Sequence, residues 1–337
     1  MLSEYVLVSR IRFAAVLCLG ILFGLSLNVN AQMIKDAQGK DSGFEHVMTF
    51  GSKGTGDGQF NYPEDFDLTA DKKYILVTDA VNATVQAFDR ATGKFISKFG
   101  GKGDANHQLD KPEGISVAPD GRVFVADYAT GHVKIYDKDF KWLKTFSEYG
   151  DKPGENRKSE FTSIFEGKYY MAEAGNNRIN IWDLEGNFLS TFGKKGTADG
   201  EFDNPESIKV NSKGEFLVAD LKNNRIQVFD SQGKFLRKWG ETGSGNGQFK
   251  APAGIGIDRF DNIYVTEIGN DQLQVFDSSG KFITKFGKRG NKVGEFTNLH
   301  GCFVDKESGW VYVADSDNCR VQVFKPTGEM LSKLQGR

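Results

Sequence analysis

The stretch "VADLKNNRIQVFDSQGKFLRKWG", residues 218–240, decides the fold of this chain. It holds one apolar run that ends in an acid, Asp220, a second that follows Arg225, and a third beyond the next turn. That turn reads Asp-x-x-Gly, from Asp230 to Gly233, which is typical of a tight hairpin whose glycine has a positive φ. Short runs of Val, Ile and Phe between turn residues, without helical periodicity, indicate β-strands. The stretch therefore predicts three successive antiparallel strands.

The same pattern recurs along the chain, for example as "VYVADSDNCRVQVFKPTGEMLSKL" at residues 311–334. Each unit also contains a Gly/Lys loop and a fourth apolar segment such as "PEGISV". Four short strands repeated every ~47 residues are the signature of propeller blades, which bury their faces against one another. We therefore predict an all-β chain, a six-bladed β-propeller of four-stranded antiparallel blades. An aromatic-glycine pair marks the repeat, with Phe146-Ser147 filling one gap: Phe50-Gly51, Phe99-Gly100, Phe192-Gly193, Trp239-Gly240 and Phe286-Gly287.

The repeat resembles the NHL-repeat family of six-bladed β-propellers. The matching elements are F-G, a Gly-rich loop, Q/E-F, P-x-G-I-x-V, Y-V-A-D and N-x-R-I-Q-V-F, and the resemblance covers residues 45–337. The third unit, "EFTSIFEGKYYMAE", departs most because it lacks the proline. "HVMTF" at residues 46–50 is predicted to close the ring, although "GEMLSKL" near the C-terminus competes for the same outer position.

The N-terminal region has the composition of a secretory signal. Arg10 and Arg12 precede the apolar run of residues 13–27, which is short for a membrane span, and Ala31 suits a cleavage site. We therefore predict a signal peptide at 1–31, a linker at 32–44 and a propeller at 45–337. The expected location is secreted or periplasmic, with no membrane span once the signal is removed.

Charge and cysteine content narrow the function classes. The formal net charge of −2 at pH 7 argues against a nucleic-acid partner. Outside the signal, the chain has two cysteines, Cys302 and Cys319, expected on the first and third strands of one blade. That separation of about 10 Å exceeds what a disulfide spans, which disfavours a bridge but leaves it open.

One position per blade, just after the start of the innermost strand, is the sharpest candidate site. It reads Glu64, Glu113, Thr162, Glu206, Ala253 and His300 in blades one to six. Three carboxylates and one imidazole converging on the channel mouth favour calcium, magnesium or manganese, so a divalent cation is the candidate cofactor. The alternative is that these glutamates only hydrate the channel or bond loop N–H groups. The chain also resembles the peptidyl-hydroxyglycine amidating lyases, but their zinc-binding histidines are matched only at His300.

Two further sets of residues recur with the blades. An acid ends the second strand of each blade and is followed in three blades by an arginine, which predicts the structural pairs Glu173–Arg178, Asp220–Arg225 and Asp315–Arg320. The Gly/Lys loops predict a basic rim on the same face, formed by Lys194, Lys195, Lys288 and Arg289.

These observations favour an exported, monomeric binding module for a protein, peptide or glycan ligand. Two alternatives stay open. One is a divalent-cation-dependent enzyme, either amidating-lyase-like or lactonase-like, and the other is a structural component of the envelope or matrix. The catalytic residues of such an enzyme are not identifiable from spacing alone.

Overall fold

A computed structural model describes residues 32–36 and 39–336 of the chain. The predicted signal peptide, residues 1–31, lies outside the described residues. Six antiparallel sheets follow one another, and the first strand of each contacts the first strand of the next, so that the sheets form a ring. The described part is therefore a six-bladed β-propeller, which confirms the predicted fold class.

Each of the first three blades has its strands in sequence order from the channel outward. Blade one contains β3 (Pro63–Leu68), β4 (Tyr74–Asp79), β5 (Thr84–Asp89) and β6 (Phe95–Gly100). Blade two contains β7 (Pro112–Val117), β8 (Val123–Asp127), β9 (Val133–Tyr136) and β10 (Trp142–Phe146). Blade three contains β11 (Ser159–Phe165), β12 (Lys168–Glu173), β13 (Arg178–Asp183) and β14 (Phe188–Phe192).

The remaining blades follow the same order, with one addition in the last. Blade four contains β15 (Pro205–Val210), β16 (Phe216–Asp220), a 3₁₀ turn (Leu221–Asn223), β17 (Arg225–Phe229) and β18 (Phe235–Trp239). Blade five contains β19 (Pro252–Ile257), β20 (Ile263–Glu267), β21 (Gln272–Phe276) and β22 (Phe282–Phe286). Blade six contains β23 (Leu299–Val304), β24 (Val311–Asp315) and β25 (Arg320–Pro326), completed by β2 (Asp41–Phe50) and β1 (Met33–Lys35).

The N-terminal strand β2 closes the ring. It pairs antiparallel with β25, with Phe50 opposite Val321, so "HVMTF" fills the outer position of blade six. The segment taken as a linker, 32–44, contributes β1 and the first residues of β2, since Ile34 and Phe44 are buried in the core of blades five and six.

The competing segment "GEMLSKL" forms a helix, α1 (Gly328–Leu334), and does not take the outer strand position for which it was a candidate. Thr327 is its N-cap, and the Thr327 hydroxyl accepts a hydrogen bond from the Met330 N–H at 3.2 Å. Met330 and Leu334 are buried against blades five and six. Among the helices that the structure describes, none is long and apolar enough to span a membrane.

The aromatic-glycine pairs have a packing cause. Gly193 has a φ of 91°, and a Cβ at this residue would lie 2.4 Å from Cε2 of Phe202. The ring of Phe202, in the "EF" pair, therefore packs directly on the backbone of Gly193 at the end of the preceding blade. Only glycine fits at that position. The same contact recurs between Gly240 and Phe249. Cys302 and Cys319 are both buried and free.

Candidate functional site

The acid at the end of each second strand fixes the start of the innermost strand. The carboxylate of Asp79 accepts hydrogen bonds from the N–H groups of Asn61 and Tyr62 at 3.2 and 3.0 Å. Asp127 binds the N–H groups of Asp110 and Lys111 at 2.7 and 3.0 Å in the same way. Because the capped residues lie directly before the inner strand, these acids place the second residue of each inner strand at the channel mouth.

The predicted acid–arginine pairs are tied to the same loops. Arg225 Nε donates to Asp220 Oδ2 at 2.7 Å, and the Arg225 guanidinium also donates to the carbonyls of Thr197, Ala198 and Glu201. Arg320 Nε lies 2.7 Å from Asp315 Oδ2, whereas Arg178 Nε lies 3.8 Å from Glu173 Oε2. In each blade the arginine points into its own loop, as a structural group would.

The position at the channel mouth holds a fourth glutamate that sequence reasoning missed. In blade three it is Glu160, because Ser159 pairs with Glu173 as Pro63 pairs with Asp79 in blade one. Thr162, expected there, lies two residues further along β11, where its hydroxyl is 2.7 Å from that of Ser116. The assignment to Thr162 was therefore wrong by two residues.

A signal for Glu160 is present in the sequence. In the other blades a Gln or Glu lies five residues before the channel-mouth position, as Glu201 does before Glu206. Glu155 stands at the same interval before Glu160. Serine in place of the usual proline hid this register.

The channel mouth is a cavity of about 360 Å³. Its floor combines the four glutamates with His300: Glu64, Glu113, Glu160, Glu206 and His300. All five residues are buried, with exposed fractions of 7% or less. Tyr62, Tyr128, Val81 and Ile268 add aromatic and aliphatic walls, while Ala253 leaves the floor at blade five without a polar group.

His300 is held between two carboxylates from other blades. Its Nδ1 pairs with Glu64 Oε2, and its Nε2 lies 3.0 Å from Glu206 Oε1. The rings of Tyr62 and Phe161 pack against the imidazole at centroid distances of 6.0 and 5.6 Å. A carboxylate oxygen thus lies beside each ring nitrogen, although only Nε2 is aligned for a hydrogen bond, and the two neighbouring carboxylates favour the imidazolium form.

The ionisation of these groups reflects burial and their mutual charges. Burial alone lowers the pKa of an imidazolium, but the carboxylates of Glu64 and Glu206 raise the pKa of His300 well above its usual value. Burial raises the pKa of Glu64 to about 7, against the opposing effect of His300. Burial, followed by the charges of Glu113 and Glu206, raises the pKa of Glu160 well above its usual value.

The floor is also incompletely hydrogen-bonded. Within the described residues, Glu64 Oε1 and Glu160 Oε2 are buried and have no hydrogen-bond partner. Unpaired buried carboxylate oxygens carry a desolvation cost that a ligand donor or cation removes.

One side of the mouth carries basic residues. Lys111 Nζ lies 2.5 Å from Glu113 Oε1 and 3.9 Å from the centroid of the Tyr128 ring. Burial lowers the pKa of Lys111, but Glu113 outweighs burial and raises it to about 12. Lys158, from the start of blade three, lies 5.6 Å from the same ring. Sequence reasoning missed all three residues.

The residues of the predicted basic rim lie outside the cavity at the channel mouth. Lys194 and Lys288 pair with Glu201 and Glu295 of their own loops at 3.3 and 3.5 Å. The backbones of Lys195 and Arg289 form isolated bridges to Phe202 and Phe296. The structure does not bring these four residues into the cavity at the channel mouth.

A metal at Glu64, Glu113, Glu206 and His300 stays a prediction. Across residues 32–36 and 39–336, no group of three or more His, Cys, Asp or Glu residues is placed to hold a metal ion. One carboxylate oxygen of Glu64 and one of Glu206 are already paired with the imidazole of His300.

A second cavity, of about 310 Å³, lies at the opposite end of the inner strands. Lys209 lines it, donates to the carbonyl of Thr162 at 2.8 Å and lies 3.7 Å from Asp65. Its lining combines Asp67, Lys209 and Lys306 with apolar side chains.

Family models match parts of the chain. A family described as "6-bladed beta-propeller" matches residues 260–334, and the NHL repeat matches residues 109–136 and 202–229. No curated protein sequence in the comparison is significantly similar to the chain.

Solved structures share the fold at low sequence identity. A streptogramin B lyase is 11% identical, with 84% of this chain and 98% of that chain covered and a TM-score of 0.60. A catalytically inactive histidine-to-alanine variant of virginiamycin B lyase from Staphylococcus aureus, with quinupristin, is 12% identical, with coverages of 84% and 98% and a TM-score of 0.57. A protein of unknown function from Bacteroides thetaiotaomicron is 14% identical, with coverages of 82% and 76% and a TM-score of 0.62. At these identities the likeness establishes the fold alone.

The repeats matched by the family model lie on strands of blades two and four, and the six sheets close into one ring. The chain is therefore a six-bladed β-propeller that contains NHL repeats at residues 109–136 and 202–229.

Proposed function

We propose that this protein is an exported binding module that takes a positively charged organic group, an ammonium or guanidinium, into the carboxylate floor at the channel mouth. The finding that carries the proposal is Glu160. It is buried, has one oxygen without a partner in the described structure, and shares the floor with Glu64, Glu113 and Glu206.

The electrostatics of the floor favour a cation. Four carboxyl groups face a small cavity, and the cationic residues that line it are His300 and Lys111. Burial, and after it repulsion from the other carboxylates, raises the pKa values of Glu64 and Glu160. A ligand cation that donates to Glu160 Oε2 relieves both the repulsion and the unpaired oxygen, so its binding is favoured by removing an existing cost.

The size of the cavity suits one side chain or a small molecule. About 360 Å³ is at the low end of ligand pockets. Tyr62 and Tyr128 provide aromatic faces for a cation, and Val81 and Ile268 provide apolar contact for an alkyl chain. An exported location, which rests on the predicted signal, brings the site to extracellular peptides or amines.

Isothermal titration of cadaverine and agmatine into the mature protein tests the proposal. We expect both amines to bind. Glu160→Gln should weaken their binding by about tenfold, because the binding site loses one of its carboxylates. Glu329→Gln, at an exposed position on α1, is the matched control and should bind as the unaltered protein does. Failure of both amines to bind, or equal affinities in the Glu160→Gln protein, would refute the proposal.

The same titration separates a metal site from an organic cation site. Calcium and manganese are added to chelator-treated protein and to a Glu113→Gln, Glu206→Gln double variant. Metal binding that is tight in the unaltered protein and lost in the double variant would assign the floor to a divalent cation and overturn the organic-cation proposal.

A second candidate function is acid–base catalysis, favoured by His300 between Glu64 and Glu206. A carboxyl with a pKa of about 7 beside an imidazolium can exchange a proton near neutral pH. The streptogramin B and virginiamycin B lyases that share the fold are enzymes, and a histidine-to-alanine variant of the latter is inactive. Turnover of lactones or peptidyl-hydroxyglycine substrates that is abolished in His300→Ala would support catalysis. If neither substrate class were turned over, the lactonase-like and amidating-lyase-like activities would both be excluded.

A further inference from the structure

We propose that the ligand is a zwitterion whose cationic group enters the floor and whose carboxylate is bound by Lys158 and Lys111, as in a peptide that ends in lysine or arginine. This inference rests on the proposed function, because the same floor receives the cation. It adds the anionic half of the ligand and the residues that select it.

The first observation is that the mouth is electrostatically divided. Lys111 and Lys158 both approach the ring of Tyr128, at 3.9 and 5.6 Å from its centroid. Lys111 and Lys158 directly precede the inner strands of blades two and three, and Tyr128 directly follows the second strand of blade two. The lysines therefore form a basic edge directly beside the acidic floor.

The second observation concerns how the lysines are held. Lys111 Nζ lies 2.5 Å from Glu113 Oε1, and this ion pair neutralises part of the charge of Lys111. It also holds the ammonium group between the acidic floor and the basic edge. Lys158 is exposed, and its pKa is raised, first by a hydrogen bond with Tyr128. Since Tyr128 is a neutral partner, and Lys158 forms no salt bridge with a carboxylate among the described residues, Lys158 keeps donors for an incoming anion.

The third observation is the spacing that these groups impose on a ligand. Tyr128 and Lys111 line the same cavity of about 360 Å³ as Glu160 and His300. A ligand that reaches both the floor and Lys111 therefore carries its positive and negative groups close together. The aliphatic Val81 and Ile268 in the wall match the methylene chain of a lysine or arginine side chain.

A C-terminal basic residue satisfies all of these conditions. Its side-chain ammonium or guanidinium donates to the floor carboxylates, its methylenes contact the walls, and its α-carboxylate accepts from the two lysines. An internal lysine or arginine carries no carboxylate, so the basic edge selects the end of a peptide. Nothing in the arrangement requires a covalent step.

The test compares Nα-acetyl-lysine with Nα-acetyl-lysine amide, which differ only in the carboxylate. Affinities are measured by isothermal titration for the unaltered protein, for Lys158→Gln, and for Lys288→Gln as an exposed lysine on another loop. We expect the acid to bind about threefold to tenfold more tightly than the amide, the range of a partly exposed ion pair. The preference should shrink in Lys158→Gln, remain in Lys288→Gln and decrease in higher salt.

The outcomes separate the two proposals. Equal binding of acid and amide by the unaltered protein would overturn the zwitterion inference while leaving the cation site intact, since both probes carry the ammonium. A preference unchanged in Lys158→Gln would overturn the role of Lys158. If neither probe bound, and cadaverine and agmatine also failed, the proposed function itself would be refuted.

Discussion

Replacement of Glu64 by glutamine should flatten the dependence of stability on pH. Glu64 is fully buried, and burial raises its pKa from 4.5 to about 7. The folded protein therefore holds a proton that the unfolded chain has released, and this contribution to stability is complete below pH 4.5 and lost as the pH rises through 7. At about 1.4 kcal/mol per pKa unit, the loss is roughly 3 kcal/mol, most of it between pH 5 and pH 8.

The buried neighbours of Glu64, His300 and Glu160, also make the folded protein less stable as the pH rises. The pKa of His300 is raised by Glu64 and Glu206, so its contribution is also present at low pH and lost as the pH rises. Removal of the Glu64 charge reduces the increase in the pKa of His300. It also removes the repulsion that Glu64 exerts on Glu160. The Glu64→Gln protein should therefore lose about 3 kcal/mol less than the unaltered protein over this interval.

Urea unfolding followed by fluorescence at pH 5, 6, 7 and 8 measures this difference. Glu329→Gln, on the exposed face of α1, should leave the slope unchanged. If Glu64→Gln and the unaltered protein lost the same free energy between pH 5 and pH 8, the raised pKa of Glu64 and the coupling to His300 would both be refuted.

Three further predictions concern the blades and the N-terminus. Asp220→Asn should lower the free energy of unfolding by about 2 kcal/mol, because Arg225 and the capped N–H of Asp203 lose a charged acceptor; lost ligand binding at an unchanged melting temperature would contradict this structural role. Gly301→Ala should destabilise the junction of blades six and one by more than about 3 kcal/mol, since the added Cβ would lie 1.8 Å from the carbonyl oxygen of Glu64, whereas Gly328→Ala, with no atom within 4 Å, should be nearly neutral in the same urea titration. Mass spectrometry of protein from the native host should find the N-terminus at or near Gln32, and an intact Met1 would exclude cleavage of the signal.

The fold was predictable because every blade repeats the same information. An acid ends the second strand of all six blades, the aromatic-glycine pair occurs five times and the Asp-x-x-Gly turn occurs in three blades. Each has a packing or capping role, and such agreement leaves few alternative folds. The helix α1 was not predictable in this way. "GEMLSKL" matches the outer-strand motif, but β2 already occupies that position in blade six, so Met330 and Leu334 are buried from a helix instead.

The candidate site was predictable only where its residues follow the repeat. Glu64, Glu113, Glu206 and His300 lie at one register position, and the structure brings them together. Glu160 was missed because serine replaces the proline that marks the register.

The basic edge was hidden for a different reason. Lys111 and Lys158 occupy the same position, directly before the inner strand, in blades two and three, but the other blades carry Tyr62, Asn204, Ala251 and Asn298 there, and Tyr128 follows a second strand. Their proximity arises from the packing of blades two and three, which no single-blade pattern records.

The pairing of β2 with β25 imposes an order on biosynthesis. During synthesis the residues of β2 emerge before those of blades one to five, but their partner in the ring, β25, is the last strand to be made. Until β25 appears, the edge of β2 and the open side of blade one have no neighbour, and the intermediate presents exposed strand edges that favour association with other chains. Ring closure is thus a late contact between the two ends of the propeller, and such distant contacts form slowly. Folding of this protein therefore depends on keeping the edge of β2 that receives β25 unpaired until the whole ring has been synthesised.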